Sequence, residues 1–246
     1  MRLSRGIGEA LLDAWAVVMP TDCSGCGRPD RSLCPACRTA LRPAVHCADR
    51  RGVPVWSALD YSGAVRQVIA AYKDGGRTDA AGALAASLRC AVVAALAAAP
   101  TSDGDGRSGI HLVTVPSTRR AWRQRGFHPV ELLLFRGGLK PTRVLRAVRE
   151  TTDQVGLDSG ERGSNRRGSL AAVRALDGFR ALVVDDILTT GATVLEARRA
   201  VLEAGGEVVG VATLAETRRR HAVASRYRKL VDKSHDLSTG EHYGGS

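Results

Sequence analysis

The stretch from 179 to 217 constrains the fold most. "FRALVVDD" (179–186) is an apolar strand-like run, "TVLEARRAVLEAGG" (193–206) has the spacing of an amphipathic helix that stops at Gly205-Gly206, and "EVVGVATLAET" (207–217) is a second strand-like run. A helix between two strands supplies the crossover that parallel pairing needs. The alternation recurs upstream: strand at 53–61, helix at 62–73 ended by the turn residues 74–76, helix at 79–98, surface loop at 101–109, strand at 110–116 closed by Pro116, helix at 129–137 and strand at 142–150. The polar stretch 158–169 reads as loop or frayed helix. Strands alternating with helices predict an α/β fold with a parallel sheet covered on both faces. No internal repeat is present, and 246 residues suit one such domain plus a small appendage.

Two adjacent acids, Asp185 and Asp186, stand where the first of these strands gives way to a loop. Ligands of parallel α/β sheets bind beyond the carboxyl ends of strands. The loop leads into a helix whose first N–H groups lack partners and whose N-terminus is partly positive, which suits a phosphate. Thr189, Thr190 and Thr193 add hydroxyl donors, Gly191 lets the backbone approach closely, and Ala192 keeps the stretch small. The carboxylates repel a phosphate but accept hydrogen bonds from vicinal hydroxyls, so a ribose 5-phosphate fits the string as a whole. The bland alternative is a strand–turn–helix with surface acids and a capping threonine. Two adjacent carboxylates are poor neighbours without a ligand or cation, which disfavours it.

Four of the six cysteines fall in "CSGCGRPDRSLCPAC". Cys23 and Cys26 form one C-x-x-C pair and Cys34 and Cys37 a second. Each pair sets two thiolates on a tight turn, and two such turns complete the tetrahedral coordination of zinc. A redox pair or an iron–sulfur centre is the alternative. All four positions are filled, so the expected zinc is structural and holds a segment too small for its own core. Cys47, beside His46, is a spare ligand or a bystander, and Cys90 reads as a small buried residue within a helix.

The formal net charge of +11 favours anionic partners, either phosphorylated metabolites or nucleic acid. The opening 20 residues start basic, but Glu9 and Asp13 interrupt their apolar part, so an amphipathic helix explains them better than a secretory signal. Residues 80–100 are long and apolar enough to be weighed as a membrane span. They are mostly alanine, and Arg89 at mid-bilayer would cost roughly 3 kcal/mol, which favours a packed soluble helix. The expectation is a cytoplasmic protein without membrane insertion. From 218 onward the chain turns basic, then polar and aperiodic, and is expected to be disordered.

"LVVDDILTTGATV" (182–194) resembles the phosphoribosyl-pyrophosphate signature of type I phosphoribosyltransferases. More narrowly, the chain is similar to the ComF (competence protein F) family through the cysteine cluster, "YKDGGR" (72–77), "VPSTRRAWRQRGFHPVELL" (115–133) and "RETTDQVGLDSGERGSNRRGSL" (149–170), in that order. The resemblance implies three parts: a helix plus zinc knuckle over 1–50, a phosphoribosyltransferase-like domain over 51–218, and a basic then disordered tail over 219–246. It implies that Asp185 and Asp186 bind ribose hydroxyls, that Thr189, Thr190, Gly191, Ala192 and Thr193 bind the 5-phosphate, and that Val115, Pro116 and Ser117 meet pyrophosphate. Lys73 matches a family lysine, although an Asp replaces the usual aromatic beside it. Arg125-Gly126-Phe127 matches a family signature in which His128 stands for the usual Asn. Arg149, Thr152, Gln154, Leu157, Arg162 and Asn165 match a further family box.

If the chain is an enzyme, the resemblance implies phosphoribosyl transfer from phosphoribosyl pyrophosphate with Mg²⁺. Asp186, Arg125 and Lys73 are then the catalytic candidates: the cations and Mg²⁺ would stabilise the departing pyrophosphate and Asp186 would act as acid–base. His111 and His128 are weaker acid–base options, and no nucleobase clamp stands out. The resemblance also implies a role in DNA uptake, with a DNA-translocating helicase and single-stranded DNA as partners. A third expectation is a protein that senses the phosphoribosyl ligand without turnover.

Overall fold

The computed structural model describes residues 22–29, 31–100, 109–148 and 168–218. The expected N-terminal helix, the 149–170 family box up to residue 167 and the C-terminal tail lie outside the described residues.

The elements follow in chain order as α1 (Pro35–Ala40), β1 (His46–Asp49), β2 (Pro54–Asp60), α2 (Gly63–Asp74), a 3₁₀ turn (Thr78–Ala80), α3 (Ala81–Ala98), β3 (Ile110–Thr114), α4 (Arg119–Arg125), α5 (Pro129–Arg136), β4 (Pro141–Thr142), β5 (Leu145–Ala147), β6 (Leu170–Ala172), β7 (Arg180–Leu188), α6 (Ala192–Glu203) and β8 (Glu207–Glu216). Six strands form one sheet in the order β1-β2-β8-β7-β3-β4. All neighbours are parallel except the edge pair β1–β2. The fold is a mixed α/β architecture with a mostly parallel sheet, as the alternation predicts.

Both faces of the sheet are covered, and β7 shows why. Leu182 and Val184 join one core with Val68, Ile69, Leu84, Leu88 and Leu133 from α2, α3 and α5. Ala181 and Val183 join the other core with Val194 and Val201 of α6 and with Leu145 and Leu170. The period-2 alternation of a strand thus feeds two cores at once.

Thr78–Ala98 is long and apolar enough to cross a membrane, with hydropathy 1.8. It is instead packed on the sheet: Ala81, Leu84, Ala91 and Val92 are wholly buried, and Leu88 nearly so. Alanines along this face let the helix lie close to the strands, and each buried leucine contributes roughly 1.5–3 kcal/mol.

Several short elements were not anticipated. The expected strand at 142–150 is divided: β4 pairs with β3 at the sheet edge, whereas β5 leaves the sheet and pairs antiparallel with β6. Pro141 has no N–H to donate, which suits an edge strand. The helices α1 and α4 and the strands β1 and β6 are too short for periodicity to reveal. The acids lie within a strand rather than at its end. β7 continues through them because Ile187 and Leu188 still pair with Ala215 and Glu216 of β8.

That continuation shapes the site. Thr114, the last residue of β3, pairs with Val184. Asp185 and Asp186 therefore extend past a neighbour that has already stopped. The chain leaves β3 outward towards β4 and leaves β7 in the opposite direction towards β8. The reversal falls between β3 and β7, where parallel sheets open a ligand crevice.

Candidate functional site

At the crevice, the Asp186 backbone N–H donates to Asp185 Oδ1 at 2.9 Å. Asp186 Oδ2 lies 2.7 Å from Lys73 Nζ, and both side chains are about one-fifth exposed. The next residue along α2, Asp74, accepts from Arg125 of α4 at 3.0 Å. A cavity of about 170 Å³ is lined by Val115, Pro116, Ser117, Arg125, Asp185 and Asp186, among others. Residues from two separate sequence motifs, 115–133 and 182–194, therefore share one cavity, and Lys73 from a third joins them through its ion pair.

The cavity also holds Glu131, which sequence reading did not single out. Glu131 is 7% exposed although charged. It pairs with Arg143 through both carboxylate oxygens and accepts a long 3.4 Å bond from Thr114 Oγ1. A lone Glu on an apolar helix face gave no signal, because its partner comes from beyond the end of that helix. His128 lines the same cavity. His111, by contrast, lies near the start of β3, opposite Ala181, and stacks on Phe179 with ring centroids 4.3 Å apart. It is far along the strands from the acids, so it is set aside as an acid–base candidate.

The loop after β7 turns at Gly191, which has φ +84 and caps α6. The Ala192 N–H points to Thr190 Oγ1 at 3.4 Å, a weak local brace. Thr189 and Thr190 open onto a second, larger cavity of about 810 Å³, shared with His46, Arg50 and Glu216. Glu216, 3% exposed at the end of β8, accepts from His46 Nε2 at 2.9 Å and pairs with Arg50. Arg50 Cδ lies 3.4 Å from where a Cβ on Gly191 would stand. The structure thus sets an arginine against the candidate phosphate loop, from a segment that sequence reading had linked only to the cysteines.

The sulfurs of Cys23, Cys26, Cys34 and Cys37 all lie within 4.8 Å of one another. A tetrahedral Zn–S site with bonds of about 2.3 Å needs sulfur–sulfur edges of about 3.8 Å. Cys26 and Cys34 already stand 3.7 Å apart. The Cys34 N–H donates to Cys23 Sγ at 3.3 Å and the Cys37 N–H to Cys34 Sγ at 3.5 Å. Burial works against ionisation of Cys23, but backbone N–H donors outweigh it and bring the thiol down to about 6. The N–H of Cys37 likewise holds Cys34 below the ordinary thiol range. The four cysteines can hold a metal ion. His46 does not join them, since its ring is committed to Glu216 and to the Ala44 carbonyl. Cys90 is exposed, not buried as expected. The helix α3 turns it away from the sheet.

The cysteine segment packs against α2. A Cβ on Gly25 would come within 2.6 Å of Cys37 Sγ and 3.0 Å of Val68 on α2. Arg77 donates to the Asp22 carbonyl at 2.8 Å and to Asp79 at 2.7 Å. α2 is thus held at one face by the cysteine turns and presents Lys73 to Asp186 at its end.

A mostly parallel sheet with a crevice at its order reversal, paired acids on the central strand and a Gly-capped helix after it define a phosphoribosyltransferase-type domain. Residues 140–240 match the family model of the phosphoribosyl transferase domain. The DNA utilization protein YhgH of Salmonella typhimurium is 30% identical over 210 residues, covering 79% of this chain and 90% of that protein. Its counterpart from Escherichia coli K12 is 29% identical over 212 residues, covering 79% and 88%. A shorter stretch is 52% identical over 50 residues to orotate phosphoribosyltransferase of Pyrobaculum calidifontis, covering 20% of this chain and 26% of that enzyme. The chain belongs to the ComF family, which includes the YhgH proteins.

Proposed function

We propose that this protein binds phosphoribosyl pyrophosphate, or a related ribose 5-phosphate, together with Mg²⁺ at the C-terminal ends of β3 and β7. One observation carries the reading: Val115–Ser117, Arg125, Asp185 and Asp186 share a cavity, and the Gly191 loop follows on the same strand. On this reading the 5-phosphate rests on the loop Thr189–Thr193 and the ribose diol on Asp185 and Asp186. Pyrophosphate faces Val115–Ser117 and Arg125. Lys73, now neutralising Asp186, exchanges that contact for the leaving group.

Transfer would be electrostatic. Breaking the bond from C1 to pyrophosphate leaves positive character on the ribose and negative charge on the leaving group. Arg125 and Lys73 would stabilise the latter, Mg²⁺ bound with the ligand would supply further charge neutralisation, and Asp186 is the acid–base candidate. The test is a thermal-shift titration with phosphoribosyl pyrophosphate and Mg²⁺, followed by pyrophosphate release across a nucleobase panel. Stabilisation with release supports a transferase. Stabilisation without release supports a sensing protein. No stabilisation overturns the reading.

A second reading is favoured by the names of the relatives and the net charge of +11: the protein serves DNA use, as a cytoplasmic partner of a DNA-translocating helicase that also contacts single-stranded DNA. The four cysteines on this reading carry a structural Zn²⁺. Salt-sensitive DNA binding that survives Asp185→Asn with Asp186→Asn separates this role from the phosphoribosyl site.

A further inference from the structure

The helix α4 and its N-cap Thr118 divide their residues between two surroundings. Thr118, Ala121 and Arg125, spaced at three and four, line the cavity with Asp185 and Asp186. The other positions face outward, and the helix buries none of its residues. Those outward positions are Arg119, Arg120, Trp122, Arg123 and Gln124, all exposed. Trp122 is 48% exposed, and only the His128 ring, 6.5 Å away and tilted, lies beside it among the aromatic contacts of the described residues. Among the described residues, Arg125 alone of the four arginines is ion-paired, to Asp74. Among the described residues, nothing accounts for a large exposed indole on a helix that buries none of its own residues. Three uncompensated guanidinium groups around it repel one another and call for an anion.

We propose that the outer face of α4 is a contact for single-stranded nucleic acid, in which Trp122 stacks a base and Arg119, Arg120 and Arg123 hold the flanking phosphates. Arg119 lies three residues before Trp122 and Arg123 one after, so cations flank the ring along the helix. Stacking on an aromatic beside a cationic track is the chemistry that grips strands with exposed bases. A duplex hides its base faces, and an acidic peptide has none, so the tryptophan selects the single strand. The inference rests on the DNA reading above and adds its location. The strand would run along the rim of the phosphoribosyl cavity, on the opposite side of the helix that sends Arg125 inward.

The test uses the full chain with its metal, a labelled oligothymidylate read by anisotropy, and phosphoribosyl pyrophosphate read by thermal shift. Trp122→Ala is expected to weaken oligothymidylate binding about tenfold and Trp122→Phe to restore most of it. Arg119→Ser with Arg123→Ser is expected to lower the slope of log affinity against log salt by about 0.7 per arginine. Stabilisation by phosphoribosyl pyrophosphate should persist in all three, so loss of that reading and loss of this one are separable. Wild-type protein that binds no oligothymidylate at low salt overturns the proposal. So does a Trp122→Ala variant that binds as wild type. Competition by polyglutamate as effective as that by oligothymidylate, independent of Trp122, reveals an acidic-protein surface and overturns it as well.

Discussion

Lys73 Nζ stands 2.7 Å from Asp186 Oδ2, so the acid at the centre of the crevice is already neutralised by a cation from the end of α2. On the proposed reading, a ligand diol that takes Asp186 would free Lys73 at the moment an anionic group arrives. Asp185→Asn with Asp186→Asn is expected to abolish stabilisation by phosphoribosyl pyrophosphate, which for wild type at a hundredfold excess over Kd amounts to about 2.7 kcal/mol. Lys73→Met should leave Asp186 without its partner and weaken the same binding. Thermal shift against ligand concentration checks both.

Gly191 carries φ +84 and has the Arg50 side chain against it. Gly191→Ala places an L side chain in the left-handed region, at a cost of about 1–2 kcal/mol. The amides of the loop would then be re-aimed. The expected outcome is a modest fall in melting temperature with a disproportionate loss of ligand binding, read by denaturation and by titration on the same variant.

Metal analysis should find about one zinc per chain. Removing it with a chelator, or by Cys34→Ser, is expected to lower stability and to raise hydrogen exchange in α2 as well as in the cysteine turns, because Val68 and Gly25 meet across their boundary. Protein that keeps its melting temperature without metal, with thiols intact, would remove the structural role.

Glu196 of α6 is buried, and burial alone would raise its carboxyl. Arg199 and the Leu170 N–H outweigh burial and hold it below the ordinary range. The unfolded value is about 4.3. The stabilisation is therefore complete above that pH and is lost as pH falls through the lower folded value. The melting temperature of Glu196→Gln should trail wild type most at neutral pH, with the gap closing as the medium is acidified below the ordinary carboxylate range.

The candidate acids, the Gly191 loop and the four cysteines were legible because each is a short string whose spacing carries its own chemistry. The same holds for the long elements: α2, α3, α5, α6, β2, β7 and β8 follow from apolar periodicity. Glu131, Arg50 and Glu216 were not legible. Glu131 looks like any charge on a helix, and its burial depends on Arg143 arriving from beyond α5. The split of 142–150 between β4 and β5 was hidden too, since an apolar run does not say which sheet it joins.

By itself the sequence determined the α/β class, the cluster of four cysteines and the small-residue loop that follows the paired acids, because periodicity and close spacing are local properties of the chain. Only the tertiary structure decided that Lys73 meets Asp186, that Glu216 aims Arg50 at the loop, and that α4 turns Arg125 inward and Trp122 outward. Those contacts depend on strand order and on β7 outrunning β3, and both are settled by packing between distant segments.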